Sequence, residues 1–170
     1  MMNTKKLVTL SFFLSLAIIL NIVENVAFSF FFVPGIKLGL ANIASIFILY
    51  YFGYKEMISV NIMRIIIANL ITGTLFGMPF VISMFSSICS MILLYIFYRL
   101  NKLSIYGISM IQAVLFNIFQ IIVVCFLYGT NVFFYYLPYL IFSGLITGYL
   151  IAISASYIIK ATTKVLPNTK

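Results

Sequence analysis

The sequence predicts an all-α integral membrane protein, a six-transmembrane-helix bundle with both termini in the cytoplasm (N-in/C-in). Of its 170 residues, 65% are hydrophobic and only 7% are charged, whereas soluble domains carry about 25% charged residues. The apolar residues form long runs separated by short polar or glycine- and proline-containing turns, and a helix needs about 20 apolar residues to cross the hydrocarbon. Six such helices use almost the whole chain, so we expect a single transmembrane domain over residues 1–170.

The turns divide the chain into six predicted spans. The first is longer than the apolar core of a signal peptide and lacks a clear cleavage site, so we expect it to be retained. The second is short for a full crossing, and its start is expected to be irregular or re-entrant. The spans cover residues 7–28, 36–52, 57–76, 80–98, 103–128 and 133–159.

The positions of the cations predict the orientation. Cytoplasmic loops of membrane proteins carry an excess of Lys and Arg. With the N-terminus inside, only Lys37 lies outside, and Arg64 lies within the third span. The net charge of +8 is therefore explained by the membrane, and no nucleic-acid partner is expected. Eight of the ten basic residues then face the cytoplasm: Lys5, Lys6, Lys55, Arg99, Lys102, Lys160, Lys164 and Lys170.

Three spans contain polar residues that need an explanation, because a polar group in lipid is costly unless it is paired or faces a cavity. One interpretation is a polar cavity that opens outward; the other is hydrogen bonding between helices, which needs no ligand. For Glu24 the alternative is a surface ion pair with Lys37, and for Arg64 it is snorkelling toward the cytoplasmic end. The polar residues are Asn21, Glu24 and Asn25 in the first span, Asn61, Arg64 and Asn69 in the third, and Gln112, Asn117 and Gln120 in the fifth.

Two further features indicate contacts with other molecules. The segment 33–42 contains two glycines, a proline and Lys37; its backbone can approach a ligand closely, and its cation suits an anionic group. A plain helix-connecting turn is the alternative. In the first span, Ser11 and Ser15 form a small-x-x-x-small pattern that allows close helix approach, either within the chain or to a partner.

The residue inventory argues against catalysis. The chain has no histidine and no aspartate, and its only acids are Glu24 and Glu56, which are expected near opposite membrane faces. Most metal sites and most general-base chemistry are thereby excluded. No glycine-rich phosphate loop is present either, and Cys89 and Cys125 lie in apolar runs as small hydrophobes. We therefore expect no catalytic residue, no metal and no cofactor.

The sequence also resembles a known family. The run from Pro34 to Ile43, Pro-Gly-Ile-Lys-Leu-Gly-Leu-Ala-Asn-Ile, resembles the signature of the small bacterial membrane proteins called Gx transporters, also filed as heptaprenyl diphosphate synthase component I. The stretch from Arg64 to Gly77 and the pair Asn117 and Gln120 resemble further family features. This family in turn resembles the substrate-binding S components of energy-coupling factor (ECF) transporters, six-helix proteins that take up a vitamin or other micronutrient.

The resemblance implies a non-enzymatic subunit of the bacterial cell membrane that binds a small anionic or aromatic micronutrient from outside. Its partners would be an ECF transmembrane coupling subunit, docked on Ser11 and Ser15, and two ATPase subunits. The alternative is a non-catalytic membrane subunit of isoprenoid, quinone or electron-transfer machinery; prenyl transfer itself normally uses aspartate-rich motifs that hold magnesium. A pore is not favoured, since no ring of charges marks one. The candidate ligand contacts are Lys37, Asn42, Arg64, Asn117, Gln120 and Glu24.

Overall fold

The chain folds into six α-helices and one short 3-10 helix, as a computed structural model shows for residues 4–28, 39–100 and 103–165. The side chains of residues 25–28 and 163–165 are outside what the structure describes. The helices are α1 (Thr4–Phe28), α2 (Asn42–Tyr51), α3 (Tyr54–Ile71), α4 (Met78–Arg99), α5 (Ile105–Tyr128), the 3-10 helix (Val132–Tyr136) and α6 (Leu137–Val165).

Helix bounds follow the predicted spans most closely in α1, α4 and α5. The sixth span, predicted over 133–159, is a 3-10 helix followed by α6, which begins at Leu137 and ends at Val165. Larger differences occur around α2 and α3. The second span was expected from residue 36, but α2 begins at Asn42. Gly39 has a left-handed φ of +86°, and the N–H of Asn42 donates to the carbonyl of Gly39 at 2.9 Å, so a turn precedes the helix. α3 ends at Ile71, not at residue 76, because the backbone turns at Gly73, whose φ is +68°.

Within the described residues, four helical stretches are long and apolar enough to cross a membrane: Thr4–Glu24 of α1, Met78–Arg99, Ile105–Tyr128, and Val132–Thr162, which covers the 3-10 helix and most of α6. α2 is a shorter apolar helix of 10 residues. α3 has 18 residues, and they include Lys55, Glu56 and Arg64. The structure thus supports a membrane-embedded helical protein, while the count of six crossings and the cytoplasmic termini stay predictions.

The helices pack as a ring that α2 closes. α3 contacts α1 and α4, α5 contacts α4 and α6, and α2 packs against α1, α3, α5 and α6. The ring of Phe47 on α2 stacks on Phe13 of α1 with 3.9 Å between centroids, and the core around them is apolar. α2 is therefore held from several sides, which fixes the position of its first residue, Asn42.

The surface of this bundle is apolar, unlike that of a soluble protein, and buried polar residues lie beside its apolar core. Large hydrophobic side chains face outward, with Phe126 86% and Tyr135 81% exposed. Polar side chains are buried instead, among them Glu24 at 1% and Arg64 at 4% exposure. Burying charges while exposing aromatic rings is favourable only where the surrounding solvent is apolar. This distribution identifies lipid as the solvent.

Candidate functional site

The site lies where α1, the start of α2 and α3 meet. Glu24 on α1 and Arg64 on α3 are both buried and line the same cavity. Their opposite charges attract each other, which offsets part of the cost of removing both groups from water. Arg64 is therefore an interior residue of the bundle, and the snorkelling alternative does not describe its position. Glu24 is likewise interior and not on the surface.

The turn before α2 is tied to α1 through Glu24. Its Oε1 accepts the backbone N–H of Gly39 at 2.5 Å. Gly39 has φ +86°, and a Cβ at this position would lie 2.8 Å from Nδ2 of Asn42. A glycine is needed here for both reasons, its backbone conformation and the space that Asn42 fills. The backbone here approaches the carboxylate of Glu24, while its close approach to a ligand stays a prediction.

Asn42, the first residue of α2, points its side chain at Arg64. The guanidinium Nη1 donates to Oδ1 of Asn42 at 3.4 Å. Among the residues that the structure covers, Nδ2 of Asn42 and Nε of Arg64 have no hydrogen-bond partner. Buried polar atoms are almost always satisfied in native proteins, so two unpaired donors side by side require an explanation.

The cavity itself is small and mixed in character. The space open to the centre of a water-sized sphere is about 10 Å³, room for about one water molecule. The hydroxyl of Ser83 on α4 is also buried and has no partner within the described chain. Phe116 supplies an apolar wall from α5. The lining residues are Asn21, Glu24, Gly39, Ala41, Asn42, Arg64, Ile65, Ser83 and Phe116.

A second polar layer lies one helical turn before Arg64. Oδ1 of Asn61 accepts the hydroxyl of Ser45 at 2.7 Å, which joins α3 to α2. Its Nδ2 is buried with no partner in the described part of the chain, as is the hydroxyl of Ser86 on α4. Polar character therefore extends from the cavity toward the basic end of the bundle.

The polar residues of α5 include two predicted ligand contacts, Asn117 and Gln120, whose role in binding stays a prediction. Asn117 donates from Nδ2 to the carbonyl of Leu140 at 2.7 Å, across to α6. A Cβ at Gly144 would lie 2.8 Å from the same Nδ2, so the amide fills the contact between α5 and α6. Gln120 is buried at 0% exposure, and neither side chain is among the residues that line the cavity. For Asn117, helix packing explains the observed contact.

The predicted docking face on α1 is accessible. Ser11 and Ser15 are both exposed, and the hydroxyl of Ser15 bonds to the carbonyl of Ser11 at 2.9 Å. Because its hydroxyl is satisfied within the helix, Ser15 presents a small and nearly apolar surface. Contact of this face with a coupling subunit stays a prediction.

The other acid lies far from the cavity. Glu56, at the start of α3, pairs with Lys6 of α1 at 2.5 Å. The hydrogen bond from Lys6 holds the pKa of Glu56 below its usual range. Lys6 and Glu24 are 18 residues apart on α1, or about 27 Å at the helical rise. The two acids of the chain therefore belong to different ends of the bundle.

Two of the residues singled out in the sequence lie outside what the structure describes, and some residues that line the cavity were not predicted. Lys37 falls outside the described residues, as does the side chain of Asn25. Ser83 and Phe116 line the cavity but were not predicted. A signal existed for Ser83, because Ser83, Ser86, Ser87 and Ser90 recur at helical spacing on α4 and all are buried. Serine on a membrane helix is usually read as a small packing residue.

A bundle with an apolar exterior and buried opposite charges defines a membrane-embedded helical protein. The chain belongs to the family described as heptaprenyl diphosphate synthase component I, whose family model matches residues 13–158. The resemblance to this family is thereby confirmed. The matched region includes Glu24, Asn42 and Arg64. No curated protein and no solved structure gives a significant match.

Proposed function

We propose that the chain is the substrate-binding membrane subunit, or S component, of an ECF-type importer. Its ligand would be a small micronutrient or precursor that carries an anionic group, and an aromatic part would suit the Phe116 wall. The observation that carries this proposal is the buried cavity at Arg64, Asn42 and Ser83, where polar atoms lack partners within the described chain.

The chemistry of these atoms favours an acceptor. Nε of Arg64 and Nδ2 of Asn42 can only donate, and the hydroxyl of Ser83 can donate as well. Leaving a buried donor unsatisfied costs about 1–3 kcal/mol. A carboxylate or phosphate oxygen would satisfy several of them together through charge-assisted hydrogen bonds. Glu24 offsets the charge of Arg64 in the absence of such a group.

Entry of a ligand requires movement, because the cavity has room for about one water molecule. Gly39, in the turn before α2, is bonded to α1 through Glu24, so breaking that bond would widen the site. A ligand that competes for Arg64 would also change the surroundings of Glu24. In this proposal the turn at Gly39 opens and closes the site.

The proposed subunit is not an enzyme. Prenyl transfer to an allylic diphosphate needs magnesium, which carboxylate ligands hold. Glu24 and Glu56 are the only acids of the chain. Glu56 is paired with Lys6, which lies about 27 Å from Glu24 along α1, so the two acids cannot bind one ion together. The residues present do not fit a magnesium-diphosphate site, so synthase chemistry would reside in another component.

The family description favours a second candidate. A protein described as component I of heptaprenyl diphosphate synthase implies a further component. The chain would then be the non-catalytic membrane subunit of that isoprenoid or quinone machinery, and the same donor cluster would hold an anionic precursor. The two candidates differ in their protein partners rather than in the site.

In the importer proposal, Ser11 and Ser15 dock the ECF transmembrane coupling subunit, and two ATPase subunits supply the energy. The exposure of both serines supports a partner on this face. Both termini would be cytoplasmic, in the multi-pass arrangement of a bacterial cell membrane protein, as the distribution of Lys and Arg predicts.

The test is purification from the native membrane, with mass spectrometry of the small molecules and proteins that accompany the chain. The variant is Arg64→Lys, which keeps the charge but loses the planar fork of donors. The matched control is Arg99→Lys, since Arg99 is exposed and lies against Tyr95. We expect a bound molecule in the wild type and in Arg99→Lys, and its depletion in Arg64→Lys.

The accompanying proteins separate the two candidates. A coupling subunit with ATPases supports the importer, and a synthase component supports the alternative. Equal amounts of the small molecule with all three forms would contradict a binding role for Arg64.

A further inference from the structure

A second concave region lies on the membrane-facing side between α1 and α3, at the basic end of the bundle. Its volume, measured as for the cavity at Arg64, is about 380 Å³, far larger than that cavity. Five of its lining side chains are apolar. The groove is lined by Leu7, Leu10, Ser11, Leu14, Lys55, Glu56, Ser59, Val60 and Met63.

The walls of the groove are more apolar than its two serines suggest. The hydroxyl of Ser59 donates to the carbonyl of Lys55 at 3.2 Å, so it is satisfied within α3. Met63 and Leu7 are 51% and 49% exposed at its margin. Away from its charged end, the groove offers contact surface for a hydrocarbon chain.

One end of the groove carries positive charge. Glu56 is paired with Lys6 at 2.5 Å, which leaves its charge compensated. Lys55 lines the same end and is exposed, and Lys5 lies on the neighbouring first turn of α1. Two cations, Lys6 and Lys55, therefore lie beside one acid, Glu56, which leaves this end with a net positive charge. By the distribution of Lys and Arg, this end is expected at the cytoplasmic surface.

We propose that this groove binds one anionic phospholipid, with an acyl chain between α1 and α3 and its phosphate at Lys55. The polarity of the groove matches that molecule along its length, because a cationic rim at the interface leads into an apolar channel toward the bilayer interior. This site is separate from the cavity at Arg64. It shares Ser11 with the face proposed to dock a coupling subunit, so the lipid would occupy the groove when that subunit is absent.

The experiment uses the full chain in bilayer nanodiscs that contain phosphatidylglycerol and phosphatidylcholine, followed by native mass spectrometry of retained lipid. Lys55→Gln removes the charge, and we expect about fivefold weaker retention of phosphatidylglycerol, since one basic residue near a membrane surface contributes about 1 kcal/mol. Ser59→Phe fills the groove without changing charge and should reduce retention of both lipids.

Matched controls are Lys160→Gln and Ile92→Phe, at exposed positions on α6 and α4 away from the groove. Neither should change retention. A photoreactive residue in place of Met63 should capture lipid in native membranes.

Three results would overturn the proposal. The first is equal retention of the two lipids by the wild type. The second is a loss in Lys160→Gln as large as in Lys55→Gln, which would indicate diffuse surface attraction. The third is capture of a polypeptide and no lipid by the residue at position 63, which would make the groove a protein interface alone.

Discussion

The carboxylate of Glu24 on α1 accepts the backbone N–H of Gly39 at 2.5 Å, although the two residues are 15 positions apart in the chain. This bond places the turn before α2 beside Arg64, which lines the same cavity. One acid therefore serves two purposes, since it balances a buried cation and holds a backbone segment in position.

Glu24→Gln should destabilise the protein substantially. The amide keeps an acceptor oxygen for Gly39 but leaves the buried Arg64 without its opposite charge, and such a loss costs about 3–5 kcal/mol. Unfolding in a denaturing detergent titration measures the difference. Glu56→Gln is the control, because that pair with Lys6 is partly exposed and should change stability by at most about 1 kcal/mol. Equal destabilisation by Glu24→Gln and Glu56→Gln would argue against a role for Glu24 in balancing the buried charge of Arg64.

Gly39→Ala and Gly73→Ala form a matched pair. Both glycines have left-handed backbones, with φ of +86° and +68°, and alanine should cost about 1–2 kcal/mol at each. Only at Gly39 would the new Cβ meet another side chain, 2.8 Å from Asn42, whereas nothing lies within 4 Å at Gly73. We therefore expect similar losses in melting temperature but loss of the co-purified ligand only in Gly39→Ala. Ligand loss in both variants would mean that the Asn42 contact is not responsible.

Acid should weaken the link between α1 and α3. The pKa of Glu56 is lowered in the folded protein, from a reference of 4.5, mainly by its hydrogen bond to Lys6. A lowered folded pKa means that the contribution is complete above the unfolded pKa and disappears as the pH falls through the folded one. The melting temperature of the wild type should exceed that of Lys6→Met near pH 7, by an amount corresponding to at most about 1 kcal/mol. The two melting temperatures should converge as the pH falls through the lowered folded pKa of Glu56, and a difference that stays constant down to that pH would contradict this origin.

Lys37 stays a predicted ligand contact. A charge-assisted hydrogen bond contributes about 1.5–3 kcal/mol, so Lys37→Met should weaken ligand binding by about 10- to 100-fold, and Lys37→Arg by less. The alternative of a surface pair with Glu24 does not apply, because Glu24 is buried at 1% exposure. If Lys37 does not contact the ligand, Lys37→Met should leave affinity intact. Affinity and melting temperature measured on the same variant separate these outcomes, and unchanged affinity would remove Lys37 from the site.

Cysteine labelling tests the orientation. In a background where Cys89 and Cys125 are replaced by alanine, single cysteines at Met78 and Thr130 should react with an impermeant thiol reagent added outside intact cells. A cysteine at Asn101 should react only after the membrane is opened. The basis is the concentration of Lys and Arg on one side, and outside labelling at position 101 would reverse the topology.

The sequence predicted the helices and the central charged residues for a simple physical reason. Polar groups on apolar spans are rare because they are costly, so Glu24 and Arg64 were conspicuous, and their burial in one cavity is consistent with a cavity-lining position. The start of α2 was misplaced, since hydropathy alone does not locate the turn at Gly39. The bond from Asn117 to Leu140 could not be foreseen either, because spacing on one helix does not specify which neighbour an amide meets.

The apolar surface of the bundle has a consequence for how such a chain diverges. Side chains that face lipid, such as Phe126 and Phe142 at 86% and 68% exposure, need only be apolar, because lipid tails are as apolar as leucine. Exchanges among Leu, Ile, Val and Phe at these positions are nearly neutral. Buried polar positions such as Asn61, bonded to Ser45 at 2.7 Å, tolerate far fewer replacements. We expect sequence identity between homologues to be low at lipid-facing positions and high at the buried polar positions. Percentage identity over the whole chain would then underestimate how closely two homologues are related.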